Sequence, residues 1–199
     1  MAQQEHQQHQ QPHASYSHFP DMATKPAAYA QVVASLEALL EAQRNWVCNL
    51  ANAASLLWHM YHALPPAVSR EAAGVNWAGF YVLDPAAPTR QLILGPFMGK
   101  VACQTITLGK GVCGTAATGD DGTGKSLVVK DVEAFPGHIA CDGETKSEIV
   151  VPIRSAGKLT SAQVVGVIDI DCTQLNGFDD QDREGLEKVA ALLASSCDW

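Results

Sequence analysis

The stretch VGVIDID at residues 165–171 shows most directly how this chain folds. Apolar and acidic positions alternate in its second half, and successive side chains of a β-strand point to opposite faces. Asp169 and Asp171 therefore share one face of a strand, roughly 7 Å apart along it. The stretch predicts a strand with one apolar face and one face that carries two carboxyl groups.

The predicted strand belongs to a larger set in the middle of the chain. A polar hairpin over residues 155–162 connects it to an apolar run at 147–154, which places Glu148 on the neighbouring strand. Four more strand-like stretches precede this pair and are typical of an antiparallel meander. They cover residues 75–84, 90–96, 100–108 and 126–131.

Helical patterns enclose the strands at both ends. Apolar residues recur at helical spacing over residues 28–43 and 46–62, and Asp179 or Asp180 can cap a last helix. Helices at both ends of a mostly antiparallel sheet define an α+β domain. We therefore predict a single domain with a central sheet of about six strands flanked by N- and C-terminal helices.

The N-terminal residues 1–24 differ from the rest of the chain in composition. They are rich in Gln, His, Ser and Pro, and such a segment cannot bury enough apolar surface to offset the cost of ordering. We predict a disordered tail over 1–24 and a domain over 25–199. The N-terminus carries no apolar signal region, so we expect a cytoplasmic protein, with the nucleus as an alternative.

Charge and hydropathy exclude several classes of partner. The net charge of the 199 residues is −8 and the sequence has no basic run, which argues against nucleic-acid or anionic-membrane binding. No segment approaches the roughly 20 apolar residues that span a bilayer. We expect neither nucleic acid nor membrane as a partner.

The six cysteines fall into two groups. In a reducing compartment lasting disulfides are rare, so each cysteine is a buried bystander, a metal ligand or a redox-active thiol. Three lie in helices or just after the last strand, where free cysteine acts as a small hydrophobe. The other three lie in loop-like or strand-edge contexts, namely Cys103, Cys113 and Cys141.

Cys141 is the strongest candidate for a reactive thiol. It lies in an irregular segment next to Gly143, and functional residues concentrate in such segments. A reactive thiolate needs exposure and a group that lowers its pKa. A positive charge on His138 or Lys146 can lower the pKa of the Cys141 thiol, whereas the negative charge of Asp142 raises it. His138 and Cys141 form one His-x-x-Cys pair, but no second pair completes a zinc site, so we expect no metal.

The acids Glu148, Asp169 and Asp171 form the second candidate group. Three carboxyl groups around one pocket raise the pKa of one another. One could then stay protonated and donate to an oxygen, while another holds an ammonium group. Spacing alone favours the simpler alternative, in which acids at strand ends are solvated.

Two nucleotide-binding motifs also occur and are rejected. Residues 119–126 fit a P-loop, but they follow a helical stretch and open a strand, whereas a P-loop opens a helix. Residues 109–114 fit a dinucleotide fingerprint, but the following helix lasts about two turns, and a parallel crossover needs a longer one.

A resemblance to a known family rests on five stretches, which are residues 76–81, 95–103, 109–114, 138–148 and 166–171. In these stretches the chain resembles the free methionine-R-sulfoxide reductases. The resemblance extends from about residue 25 to the C-terminus and implies a GAF fold. The main departure is the acidic, glycine-rich run at 119–125, which looks like a lengthened loop, and the hairpin at 155–162 also looks longer.

The resemblance implies roles for three cysteines. Cys141 matches the catalytic cysteine of the family, and Cys103 matches the cysteine that forms a disulfide with it. Cys113 matches a third cysteine, whose role is less settled and which could be an alternative resolving thiol.

The family resemblance also implies a substrate pocket. The acids Glu148, Asp169 and Asp171 match groups that engage the sulfoxide and amino groups, and the proton donor to the oxygen is Glu148 or Asp171. Trp77 and Tyr81 match aromatic residues of the pocket, with Trp77 against the methyl end of the substrate.

The implied activity is the reduction of free L-methionine-(R)-S-oxide to methionine. Cys141 becomes a sulfenic acid, the first step of cysteine oxidation, and Cys103 converts it to a disulfide that thioredoxin reduces by exchange. No bound cofactor is required. GAF domains pair in many proteins, so the resemblance admits a homodimer. Two alternatives remain, namely a non-catalytic GAF sensor of a small ligand and a thiol peroxide sensor.

Overall fold

A computed structural model describes residues 13–20, 22–88, 91–139, 141–155 and 163–199. Within these residues the chain forms four α-helices, which are α1 (Lys25–Leu40), α2 (Trp46–Ala63), α3 (Gly111–Thr118) and α4 (Asp180–Ser196). The strands are β1 (Val75–Leu83), β2 (Gln91–Gly99), β3 (Thr105–Thr107), β4 (Leu127–Val129), β5 (Ser147–Ser155) and β6 (Gln163–Cys172). Short 3-10 turns lie at His13–Ser17, Ala72–Gly74 and Val132–Ala134.

The six strands form one sheet in the order β3-β2-β1-β6-β5-β4. Every neighbouring pair is antiparallel. The predicted α+β class, with about six antiparallel strands between N- and C-terminal helices, is therefore confirmed. Because β6 lies in the centre between β1 and β5, its two acids are placed in the middle of the sheet.

Side-chain caps explain where the helices begin. The Thr24 side chain accepts a hydrogen bond from the backbone N–H of Ala27, so α1 begins at Lys25, three residues before the predicted start. Asp179 caps α4 in a capping box with Asp182, which confirms the predicted cap.

The sheet separates two apolar clusters. Residues that alternate along the strands, such as Phe80 and Ile168, point to one face and pack under α1, α2 and α4 in the main core. Tyr81 and Val167 point to the other face and pack with Val112 of α3 in a smaller cluster. This second face is covered by the short helix α3 and by loops, so it has room for a pocket.

The strand predicted over residues 100–108 is shorter than expected. Only Thr105–Thr107 pair with β2, and residues 100–104 are irregular. Gly99 adopts a φ of 128°, which turns the chain out of the sheet at little cost because glycine has no Cβ. Side chains then satisfy the freed carbonyls, since Trp77 Nε1 donates to Lys100 O at 3.2 Å and Tyr81 Oη donates to Cys103 O at 3.1 Å.

The tail boundary at residue 25 stays a prediction. Of the predicted tail, residues 1–12 and 21 lie outside the described residues. The described part contains the 3-10 turn at His13–Ser17, and Phe19 is buried in the main core. The predicted hairpin at 155–162 lies outside the described residues except for its first position.

The glycine-rich run at 119–126 connects α3 to β4. It therefore follows a helix and opens a strand, as the rejection of the P-loop motif required.

No helix in the described ranges combines the length and the apolar character that crossing a membrane would demand.

Replacing Gly185 with alanine is expected to destabilise the domain. A Cβ at this position in α4 would lie 2.2 Å from Cγ of Tyr29, and the Tyr29 hydroxyl is fixed by a 3.0 Å hydrogen bond to Asp182. Overpacking of this kind costs about 1–3 kcal/mol, although alanine is the better helix former. Urea unfolding measures the loss in the free energy of unfolding. The control is Glu184→Ala on the exposed face of α4, whose free energy of unfolding should stay within about 0.5 kcal/mol of the parent value. Equal stability of the Gly185 variant would contradict the packing.

Candidate active site

A pocket opens on the sheet face that α3 covers. It encloses about 140 Å³, close to the ~150 Å³ of a cavity that holds benzene, so it fits a small molecule rather than a peptide. All eight residues that the sequence analysis assigned to the site line this pocket. They are Trp77, Tyr81, Cys103, Cys113, Cys141, Glu148, Asp169 and Asp171.

The strand register brings the floor of the pocket together. Asp171 on β6 lies opposite Trp77 of β1 on one side and opposite Glu148 of β5 on the other. Asp169 lies opposite Gly79. Since residues opposite one another share a face in an antiparallel sheet, three acids and one aromatic ring meet on one patch of the floor.

An aromatic wall borders these acids. The Trp77 ring stacks on Phe97 with centroids 5.2 Å apart and on Tyr81 at 5.8 Å. Gly79 makes this possible, because a Cβ there would lie 2.7 Å from Trp77 Cη2. The wall offers an apolar surface to one end of a ligand.

The acids of the floor are deeply buried. Glu148 and Asp169 are each 6% exposed, and among the described residues no Lys or Arg forms an ion pair with either. Burial raises the pKa of Glu148 well above its ordinary range, and the charges of Asp169 and Asp171 add to the shift. Burial also raises the pKa of Asp169 to about 6. Glu148 therefore holds a proton near neutral pH, whereas Asp169 loses its proton as the pH rises through about 6.

Asp171 and Asp142 differ in their surroundings. Asp171 keeps some contact with solvent, but burial and the charges of Asp169 and Asp142 raise its pKa. Asp142 lies at the rim, where the backbone N–H of Glu144 lowers its pKa. The negative charge of Asp142 therefore lies at the rim of the pocket and not on its floor.

Two of the cysteines are joined in the structure. Cys103 and Cys141 form a disulfide with an S–S distance of 2.01 Å and a Cα–Cα distance of 5.6 Å. The bond connects two irregular segments at the mouth of the pocket. Cys141 is exposed and Cys103 is half-buried, so a reductant from solution meets Cys141 first.

Cys113 lies apart from this disulfide, in the first turn of α3. It is buried, and its Sγ lies 3.8 Å from Oε1 of Glu148. Burial raises the pKa of the Cys113 thiol well above its ordinary range, and the charges of Asp169 and Glu148 raise it further. In this state Cys113 is a protonated thiol on the pocket floor.

The structure revises which groups surround Cys141. Lys146 forms an ion pair with Glu133 at 2.8 Å, so its charge is directed toward Glu133 and not toward Cys141. His138 Nε2 lies 3.9 Å from Glu148 Oε2, and burial lowers the pKa of the imidazole. His138 thus faces the pocket floor.

The sequence analysis missed Lys100 and Asn76. Lys100 lines the pocket rim, forms an ion pair with Asp142 at 3.5 Å and pairs also with Glu144. Asn76 Nδ2 donates to Asp142 at 3.2 Å. Both therefore offset the acids next to Cys141. Lys100 precedes Cys103 by three residues in the run GKVAC, which is the one signal that could have indicated it.

Replacing Asp169 with asparagine is expected to stabilise the ligand-free protein at neutral pH by about 1–3 kcal/mol, because it removes an unpaired buried charge. The folded-state pKa of Asp169 is raised from 3.8 to about 6. The stability from its protonated form is therefore fully present below 3.8 and is lost as the pH rises through about 6.

Urea unfolding of the parent and Asp169→Asn as a function of pH measures this effect. The stability difference should shrink as the pH falls through this window. Asp120→Asn, at an exposed position of the 119–125 loop, serves as the control and should leave the curve unchanged. A parent that loses stability relative to Asp169→Asn on acidification would contradict the assignment.

Comparison with known proteins assigns this fold and site to a class of proteins. The sequence profile of the GAF domain matches residues 27–197, so the chain is a GAF-domain protein, here with a cysteine pair at its pocket. A solved structure of free methionine-R-sulfoxide reductase from Neisseria meningitidis in complex with its substrate has a TM-score of 0.72 and 37% identity. That comparison covers 90% of this chain and 93% of the other.

Sequence relatives narrow the class to one family. The free methionine-R-sulfoxide reductase of Saccharomyces cerevisiae is 51% identical over 93% of this chain and 94% of the yeast protein. That of Escherichia coli is 37% identical over 85% of this chain and 88% of its own length. The chain belongs to the free methionine-R-sulfoxide reductases, a family of oxidoreductases.

Proposed function

We propose that this protein reduces free methionine-(R)-S-oxide to methionine with Cys141 as the nucleophile. The observation that carries the proposal is the Cys103–Cys141 disulfide at the mouth of a small pocket floored by buried acids. Such a dithiol can deliver two electrons to a bound oxidant. The related reductases supply the identity of that oxidant.

The pocket chemistry suits a free amino acid. We assign Asp169 and Asp171 to the substrate ammonium group, because no cation among the described residues pairs with them. We assign the Trp77 wall, with Tyr81 beside it, to the methyl end of the substrate. A peptide-bound methionine sulfoxide has an amide where the free amino acid has its ammonium charge, so this floor would discriminate against it.

The proposed reaction has two chemical steps. The Cys141 thiolate attacks the sulfoxide sulfur while Glu148 protonates the oxygen, and methionine leaves as Cys141 becomes a sulfenic acid. The Cys103 thiol then attacks the sulfenic sulfur, forms the disulfide and releases water. Glu148 regains its proton from solvent, and Asp171 is the alternative donor. Cys113 is a second candidate for the resolving thiol.

A dithiol protein of the thioredoxin type would complete the cycle. Its thiolate would attack the exposed Cys141 sulfur, release the Cys103 thiolate and leave as a disulfide after a second exchange. The cytoplasm maintains such dithiols, and no bound cofactor enters any of these steps. A homodimer stays a prediction that size-exclusion chromatography with light scattering can test.

The test of the function is the turnover of free methionine-R-sulfoxide by the purified protein with excess dithiol. We expect conversion to methionine, little conversion of the S epimer and at least tenfold lower kcat/KM on N-acetylmethionine-R-sulfoxide, since ionic recognition of the amine is worth more than about 1.4 kcal/mol. Oxidation of the cysteine pair faster by hydrogen peroxide than by the sulfoxide would instead indicate a peroxide sensor. Stabilisation by cyclic nucleotides alone would indicate a ligand sensor.

A further inference from the structure

We propose that the pocket floor is also a binding site for a thiophilic divalent cation, namely Zn²⁺. Its ligands are Cys113 Sγ and one carboxylate oxygen each of Glu148 and Asp169, with His138 as the fourth. The binding itself is independent of the proposed function. Its consequence, exclusion of the substrate, rests on that function because both occupants use the same acids.

The positions of the donor atoms support a metal. The Cys113 sulfur and one oxygen each of Glu148 and Asp169 all lie within 4.8 Å of one another, and the Cys113–Glu148 distance is 3.8 Å. Zn–S bonds of about 2.3 Å and Zn–O bonds of about 2.0–2.2 Å in tetrahedral geometry separate ligand atoms by roughly 3.5 Å. The three donors therefore need only small side-chain rotations to enclose one ion.

His138 can supply the fourth ligand. Its Nε2 lies 3.9 Å from the other carboxylate oxygen of Glu148, and its side chain is 16% exposed. The segment that carries it also carries Cys141 at the pocket mouth. His138 is not one of the three residues whose donor atoms lie within 4.8 Å of one another, so it would have to move toward Cys113 to reach the ion.

An independent feature also favours a cation at this site. Asp169 is buried, and among the described residues its Oδ1 has no hydrogen-bond partner. The two buried carboxyl groups of the floor have no ion pair with Lys or Arg in the described chain. Buried charge of this kind is costly unless it is paired or coordinates a metal. A divalent ion supplies that partner when the substrate ammonium is absent.

The donor set selects the type of ion. A thiolate with an imidazole and carboxylates favours Zn²⁺ or Co²⁺ over Mg²⁺ and Ca²⁺, which prefer all-oxygen sites. Binding deprotonates Cys113, and the proton passes to the solvent. Cys113 lies outside the Cys103–Cys141 disulfide, so the oxidised protein keeps this site. A metal at this site goes against the expectation of no metal drawn from the sequence, and its thiolate ligand is Cys113 rather than Cys141.

Titration of the full-length oxidised protein with Co²⁺ tests the site. We expect thiolate-to-cobalt charge-transfer absorption that saturates at one equivalent, and its loss on addition of Zn²⁺. Cys113→Ser should abolish the band, with Cys113→Ala as a second variant if serine unfolds the protein. Asp169→Asn should weaken binding at least tenfold. Cys48→Ser, at the exposed free cysteine of α2, is the matched control and should keep the band.

A band that persists in both Cys113 variants would overturn the proposal. Cobalt binding of equal strength in all variants would also overturn it, and would place the ion on the His-rich N-terminal residues.

A kinetic experiment tests the exclusion of the substrate and uses a phosphine reductant that does not chelate zinc. There Zn²⁺ should raise the KM for methionine-R-sulfoxide without changing kcat, and an unchanged KM would overturn the exclusion. A cobalt band without turnover refutes the reductase and leaves the site intact, and turnover without a band does the reverse.

Discussion

Replacing Cys141 with serine is expected to lower kcat by on the order of 10⁴ or more, which is the scale of losing a covalent nucleophile. The serine hydroxyl is far less nucleophilic toward sulfoxide sulfur and forms no sulfenic acid. The substitution removes one sulfur atom at an exposed position, so the fold should be retained. Steady-state release of methionine with excess dithiol measures the effect.

The other cysteines make this test specific. Cys48→Ser should turn over like the parent, because Cys48 lies in α2, on the sheet face opposite the pocket. Without reductant, Cys103→Ser should release one methionine per protein, as the parent does, but Cys141 should then remain a sulfenic acid that dimedone traps, since its resolving partner is gone. Full turnover by Cys141→Ser would show that Cys103 or Cys113 is the nucleophile. A Cys113–Cys141 disulfide in Cys103→Ser, in place of the trapped sulfenic acid, would move the resolving role to Cys113.

The fold was largely predictable because its signals are local. The alternation in 165–171 and the helical spacing near both termini are short-range patterns, and each became the expected element. The strand over 100–108 failed for a tertiary reason. A strand continues only while a neighbour pairs with it, and the turn at Gly99 moves the chain away from β2, where Trp77 and Tyr81 satisfy its carbonyls.

The site was less predictable, because it depends on register between distant strands. The shared face of Asp169 and Asp171 follows from sequence alone, but their position opposite Trp77 and Glu148 depends on which strands pair. The Cys103–Cys141 pairing was implied by the family resemblance and not by any local pattern. Lys100 was missed because a rim lysine leaves no periodic signal.

The burial that makes the acids useful also makes them costly. Glu148 and Asp169 sit under the pocket without an ion pair to any Lys or Arg that the structure describes, so the ligand-free domain gives up stability to keep them there. A ligand that carries an ammonium group, or a divalent ion, relieves that cost and should stabilise the protein in proportion to its affinity. The same electrostatics that raise the pKa of Glu148 let it hold a proton at neutral pH.

Replacing Glu148 with glutamine is expected to lower kcat by roughly 10²–10⁴-fold, the usual contribution of a general acid. The amide keeps the size of the side chain but cannot give a proton to the leaving oxygen. Because Glu148 must be protonated to act, the parent's kcat should fall as the pH rises through its raised pKa. The variant should lack this alkaline decline.

The pH profile separates this role from a structural one. A variant that merely distorts the pocket would lose activity at every pH and keep the shape of the profile. Glu133→Gln, at an exposed acid that pairs with Lys146, is the control and should match the parent throughout. If Glu148→Gln keeps both kcat and the alkaline decline, the proton comes from Asp171, and Asp171→Asn should then show the loss. Because Asp171 lies opposite Glu148 across β5 and β6, the donor stays on the same patch of the pocket floor in either case.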